Sequence, residues 1–243
     1  MSRELPANLL SLHSGEESLR TKSIEAIQAC DDLSRHAAFI ERCMDIIDIL
    51  CRAYDTKDAT ELIVQHLGAR MFNTTASALK LLLSGYYQAS ALLQRDMLET
   101  IFLLDYFTTD AALIQRWHAL PPRERWKEFK PAVVRTALDD RDGFTKRRRQ
   151  EAYDLLTELA GHPTPQGFVM LRPKGMEAHL GPFVDPTAPL GAGQECLAGG
   201  RPYQPALRRR RAGSVPGEDR LHGGPARLDA ALLRRRQRHS SAH

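Results

Sequence analysis

The chain reads as an all-α protein, a helical bundle carrying a short extended or hairpin segment and then a polar tail. Three observations predict this. Apolar residues recur every three or four positions over long stretches between residues 19 and 160. Proline, glycine, Asp and Thr fall where such stretches would begin or stop. A change of period appears only at 167–185, where Gly167-Phe-Val-Met-Leu-Arg, a Pro173-Lys174-Gly175 turn and Met176 to Phe183 suggest a hairpin or an extended flap.

Taken in order, residues 1–15 are expected to be a flexible lead-in, and Ser14-Gly15-Glu16-Glu17 a helix start with acids favoured in the first turn. From Leu19 through Ile24, Ile27, Cys30, Leu33, Ala37, Ile40, Met44, Ile47, Cys51 and Tyr54 one stripe runs almost unbroken, so a single long helix is predicted. Asp55 to Asp58 offers a break. Ala59 to Met71 forms a shorter helix, with Gly68 and Asn73 as interruptions, and Thr74 to Phe107 a long one. In the long one, Leu79, Leu83, Tyr86, Ser90, Leu93, Met97, Ile101 and Leu104 stay within about 40° of one direction. A second stripe, Leu98, Phe102 and Tyr106, appears on another side. A helix apolar on two sides belongs at the centre of a bundle.

Thr108-Thr109-Asp110 caps a short helix that Pro121-Pro122 ends. Arg123–Phe129 and Ala132–Leu138 are short helices, the second with Pro131 at its first position. Phe144–Ala160 is the last helix, with Gly161 placed as a terminating glycine and Pro163 preventing continuation.

Three segments follow: the lead-in 1–15, a bundle domain 16–186 with its extended segment, and a tail 187–243. Up to residue 186 there are 23 basic and 26 acidic residues, whereas the tail holds 11 Arg and 4 acids. The chain's net charge of +4 therefore comes from the tail and says nothing about the bundle. Gly, Pro, Ala and Arg supply 33 of the tail's 57 residues. Such a composition reads either as a disordered basic tail or as out-of-frame translation of a GC-rich gene, in which case the bundle would lack its last helix.

Secretory and membrane-spanning patterns are missing: Leu81 to Leu93, the most apolar run, is too short and contains Gln88. A cytoplasmic protein without a membrane partner is expected. Cys30, Cys43, Cys51 and Cys196 form no C-x-x-C pair. On one helix Cys30 and Cys43 would diverge by about 140°, so neither a metal nor another cofactor is expected.

Arg95 and Glu99 lie four apart on the central helix, at an azimuth shared with Ser84, Gln88 and Tyr106. They read as a structural ion pair fixing helix register, or as the polar floor of a pocket to which Tyr153 and His162 would add. His162, just past a helix end, suits a C-terminal capping role or proton transfer. Lys146-Arg147-Arg148-Arg149 covers a full helical turn and reads as a solvated face, with nucleic-acid phosphate contact as the alternative. Phosphate-binding glycine loops, H-E-x-x-H, G-x-S-x-G and the carboxylate–histidine pairs of di-iron bundles are absent.

Two stretches carry a resemblance. Ser-Gly-Tyr-Tyr-Gln-Ala-Ser-Ala-Leu-Leu-Gln-Arg-Asp-Met-Leu-Glu (Ser84 to Glu99) and Tyr-x-x-Leu-x-x-x-x-x-His-Pro (Tyr153 to Pro163) resemble uncharacterised bacterial helical proteins related to the HEPN superfamily, over roughly residues 70–185. The resemblance implies a helical bundle, often dimeric, and in many members a metal-independent ribonuclease built on an Arg-x(4–6)-His motif. Arg95-Asp96 matches the start of that motif, yet no histidine follows in reach. Arg172 and His179 have the spacing, but Pro173 and Gly175 lie between them. The chain is therefore expected to be a non-enzymatic binding or regulatory bundle that self-associates or takes an unknown protein partner. A degenerate ribonuclease using Arg95, Glu99 and His162 is the first alternative, and nucleic-acid binding through the Arg-rich tail the second.

Overall fold

A computed structural model describes residues 5–145, 147–172 and 178–184. All of them belong to the first of two units, Met1–Tyr203; the second, Gln204–His243, lies outside the described residues, as does the whole 187–243 tail. The described residues are all-α, with eight α-helices: α1 (Ala7–Gln28), α2 (Asp31–Arg52), α3 (Ala59–Leu83), α4 (Tyr87–Phe107), α5 (Ala112–Ala119), α6 (Pro122–Phe129), α7 (Pro131–Asp142) and α8 (Arg148–Leu156). A π-helical turn at Thr157–Gly161 and a 3₁₀ turn at Gln166–Leu171 follow. Among the described residues no helix is long and apolar enough to cross a membrane.

α4 is central, as its two-sided pattern predicts. One apolar cluster joins its Phe107 to Ile63 and Leu67 of α3 and Ile114 of α5. A second joins Ala91 to Leu156 of α8 and Met170 of the 3₁₀ turn. The third joins Phe102 to Val134 and Leu138 of α7, and Leu138 is fully buried.

Five boundaries differ from the sequence-based expectation; one is the start of α8, which falls at Arg148 and not at Phe144. Ala7 to Gly15 of the expected lead-in are helical, because α1 starts directly after Pro6, whose carbonyl accepts from the Leu9 and Leu10 amides. The predicted 19–54 helix is two helices: Cys30 alone is extended, with φ −127° and ψ 115°. Asp31 and Asp32 then open α2, and the Ser34 hydroxyl donates to the Ile27 carbonyl at 2.7 Å, satisfying a group left open at the end of α1.

Next, α3 runs through Gly68 and Asn73 and stops at Ser84, so the break falls inside the predicted 74–107 helix. Gly85 has φ +85°, its amide donates to Leu82 and the Tyr86 amide to Leu81, the double closure of a Schellman turn. A side chain at Gly85 would also stand 2.5 Å from the Phe183 carbonyl oxygen, so the position needs glycine twice over. Finally, Gly161 ends a π-helical turn without a positive φ, and 166–171 is 3₁₀ rather than half of a hairpin. Residues 178–184 are irregular, bending at Leu180 and Gly181, and the Phe183 amide donates to the Gly85 carbonyl at 3.4 Å. The predicted Pro173–Gly175 turn lies outside the described residues.

Local chemistry explains the other starts and stops. Asp58 caps α3 by accepting from the Thr60 and Glu61 amides at 2.7 and 2.9 Å. Asp110 accepts from the Ala112 amide, and Pro122 and Pro131 occupy first-turn positions of α6 and α7. The Gln65 amide donates to the carbonyls of Leu50, Cys51 and Tyr54, closing the C-terminal end of α2 from the side of α3.

Candidate functional site

The expected ion pair exists. Arg95 Nη2 lies 3.2 Å from Glu99 Oε1, with the two side chains 25% and 31% exposed. The guanidinium is engaged on further sides: Nε donates to Thr157 Oγ1 at 3.0 Å, and Nη2 donates to the Tyr153 hydroxyl. That hydroxyl donates in turn to Glu99 Oε1 at 3.0 Å. The Arg95 guanidinium carbon is 4.7 Å from the Tyr153 ring centroid. Gly161 lets the π-helical turn approach, since a Cβ there would stand 3.2 Å from Thr157 Cγ2 and 3.6 Å from Arg95 Cδ.

A second guanidinium meets the same ring. Arg135 of α7 is 4% exposed, and its carbon lies 3.9 Å from the Tyr153 centroid. Its Nε and Nη2 donate to Gln150 Oε1 at 3.1 and 2.9 Å, while its buried Nη1 has no hydrogen-bond partner. Tyr153 thus ties together α4, α7, α8 and the π-helical turn. Each of the three ionised or phenolic groups is thus held by the others.

The other expected members fall elsewhere. Ser84 is buried at the end of α3. Gln88 donates to the Leu159 carbonyl at 3.4 Å, roughly 10 Å along α4 from Arg95. Tyr106 packs edge-on against Phe129 with centroids 6.2 Å apart, roughly 16 Å from Arg95 in the opposite direction. Shared azimuth did not mean proximity, so the expected seven-residue polar cluster reduces to Arg95, Glu99 and Tyr153. His162 is exposed and extended, and its ring has no hydrogen-bond partner among the described residues; its backbone amide donates to the Thr157 carbonyl at 3.3 Å. Arg135, Gln150 and Thr157 gave no sequence signal, because a lone polar residue beside an apolar stripe looks solvent-facing.

The basic run is split. Lys146 lies outside the described residues, Arg147 and Arg148 are exposed, and Arg149 is 3% exposed. The expectation of one solvated face is therefore corrected: the short α8 turns Arg149 inward onto three carboxylates. It reaches Asp139 and Asp142 at 2.5 Å each and Asp105 at 3.9 Å. Arg141 joins them at 3.0 Å from Asp105 and 2.8 Å from Asp142. Hydrogen bonds donated to Asp142 and then to Asp105 push the Arg141 guanidinium up, and the bond from Arg141 holds the Asp142 carboxyl below its usual range.

Among the described residues no group of three or more His, Cys, Asp and Glu is placed to hold a metal ion, and Cys30, Cys43 and Cys51 are free thiols. Cys196 lies outside the described residues. No family model matches this chain, and no curated protein or solved structure matches it either, so the site is read from its own geometry.

Proposed function

We propose that the chain is a non-enzymatic binding or regulatory module that pairs with a second copy of itself through α2. One observation carries this reading. α2 is 22 residues long, yet none of its residues is buried, and Phe39, Ile46 and Ile49 are 66%, 68% and 51% exposed on one side of it. A helix with an apolar stripe gains stability only by burying that stripe. Antiparallel two-fold pairing would set Asp31 and Asp32 at the start of one copy near Arg52 at the end of the other, and would oppose the two helix dipoles. The non-enzymatic half of the reading is supported by the mutual engagement of Arg95, Glu99 and Tyr153 and by the exposed, unpartnered ring of His162.

Light scattering over a concentration series tests the pairing. Wild type is expected at twice the chain mass, and Phe39→Asp with Ile46→Asp at the monomer mass with unchanged helix content. A wild type that stays monomeric at high concentration overturns the pairing. The degenerate-ribonuclease alternative requires RNA cleavage by wild type that His162→Ala abolishes.

A further inference from the structure

The geometry points to a binding site for an organic cation, an ammonium or guanidinium on an apolar body, in a cleft between α4, α5 and α6. The cleft holds about 300 Å³. Asp96 and Glu99 of α4 line it, as do Trp117 of α5 and Trp126 and Phe129 of α6. This reading is independent of the pairing through α2.

Each carboxylate is only half engaged. Asp96 takes Arg70 on Oδ1, and Glu99 takes Arg95 and Tyr153 on Oε1. The second oxygen of each has no hydrogen-bond partner among the described residues and is free to accept from a ligand. The aromatic wall supplies the rest. Trp126 is 65% exposed, and among the described residues no ring or cation packs on it. Trp117 already carries a guanidinium, that of Arg125, whose carbon is 5.4 Å from the ring centroid. Arg70 is the one basic residue among the described residues that line the cleft; its side chain is 56% exposed and it is paired with Asp96. It occupies the position a ligand's charged head would take, so a bound cation displaces it. An anion finds less: Arg70 is committed to Asp96, and the guanidinium of Arg95 is turned to Thr157 and Tyr153.

Both tryptophans of the chain line this cleft, so intrinsic fluorescence of the full chain reports its occupancy. Phenethylamine and butylguanidine are the cationic probes, with phenethyl alcohol and 3-phenylpropionate as neutral and anionic counterparts. Saturable changes are expected with the cations, and binding at least tenfold weaker with the counterparts. Asp96→Asn should weaken the cations about tenfold and leave the alcohol unchanged, and Glu99→Gln should do the same. Arg70→Gln should tighten the cations several-fold by removing the resident competitor. Asp96 is paired only with a surface arginine, so its variant keeps the fold, which circular dichroism verifies. A short capped peptide bearing one Arg separates the sources: binding like butylguanidine assigns the site to a side chain of a protein partner, and failure beside binding of the free amines assigns it to a small molecule. Equal binding of the alcohol or the acid, no saturable change with any probe, or an Asp96→Asn variant that binds cations like wild type would each overturn the assignment.

Discussion

The first two helices and the six that follow have similar apolar periodicity and are held by different forces. In α3 to α8 the apolar side chains meet in three clusters, each containing residues of α4. In α2 no residue is buried, and in α1 only Ser23 is. Beside the half-buried Ile47, Leu50 and Cys51 that face Gly68 of α3, directional bonds tie the arm down. Ser23 Oγ donates to the Leu83 carbonyl at 2.9 Å, the Tyr86 hydroxyl donates to Glu16 at 2.7 Å, and Gln65 closes the end of α2. The body therefore draws most of its stability from burial, whereas the arm is held in register and leaves Phe39, Ile46 and Ile49 exposed.

Breaking the body should cost far more than breaking the arm. Arg149→Met leaves three carboxylates facing one another without their central cation, and is expected to lower stability by about 3–5 kcal/mol in urea unfolding. The exposed pair in α2 is the control: Arg52→Met, whose side chain is 77% exposed, should cost at most about 1 kcal/mol. Leu138→Ala should cost about 3 kcal/mol, and Ile46→Ala under about 0.5 kcal/mol in dilute monomer. Equal losses at these two leucine and isoleucine sites would erase the contrast.

At the junction of the two regions, Gly85→Ala should cost about 1–2 kcal/mol from its left-handed backbone alone. It should also remove hydrogen-exchange protection from the Phe183 amide, whose backbone crosses there.

Docking of α1 should depend on pH at both ends. The Tyr86 hydroxyl, and then His13, hold the Glu16 carboxyl below its usual range, so its contribution is complete above the unfolded carboxylate pKa and fades as pH falls through the folded one. Burial, and then the bond to Glu16, push the Tyr86 phenol up to about 12. That contribution is complete below the ordinary tyrosine value of about 10 and is lost as pH rises through the folded value. Amide protection in α1, taken relative to the intrinsic exchange rate at each pH, should be greatest between those limits, and Tyr86→Phe, costing about 1 kcal/mol, should flatten the profile. The smallest effect is a gain. A methyl at Gly68 meets Leu50, Ile47 and Cys51 at 3.5–3.7 Å, ordinary contact distances, so Gly68→Ala should stabilise the seam between α2 and α3 by about 0.5–1 kcal/mol.

What the sequence disclosed was whatever depends on neighbours a few residues apart. The two-sided pattern placed α4 at the centre, Asp55 to Asp58 marked a break, Pro121-Pro122 an end and Pro131 a start, because capping and proline geometry are local. The break at Cys30 was hidden because a single extended residue barely disturbs the count of threes and fours. The turn at Gly85 was hidden because its need for glycine comes partly from Phe183, far along the chain. Arg95 and Glu99 were legible as a pair four apart. The inward turn of Arg149 and the stacking of Arg135 on Tyr153 were not, since both are fixed by carboxylates and rings from other helices.

The contact between Gly85 and Phe183 also sets an order of events in time. The turn at Gly85 closes through bonds spanning a few residues, an event of microseconds or less. Its carbonyl then waits for an amide about 100 residues downstream, a loop whose closure is entropically slow. During synthesis at about 5–20 residues per second, that interval lasts about 5–20 s. Throughout it the Gly85 carbonyl is without its Phe183 amide, so the strap formed by residues 178–184 is among the last parts of the fold to be fastened.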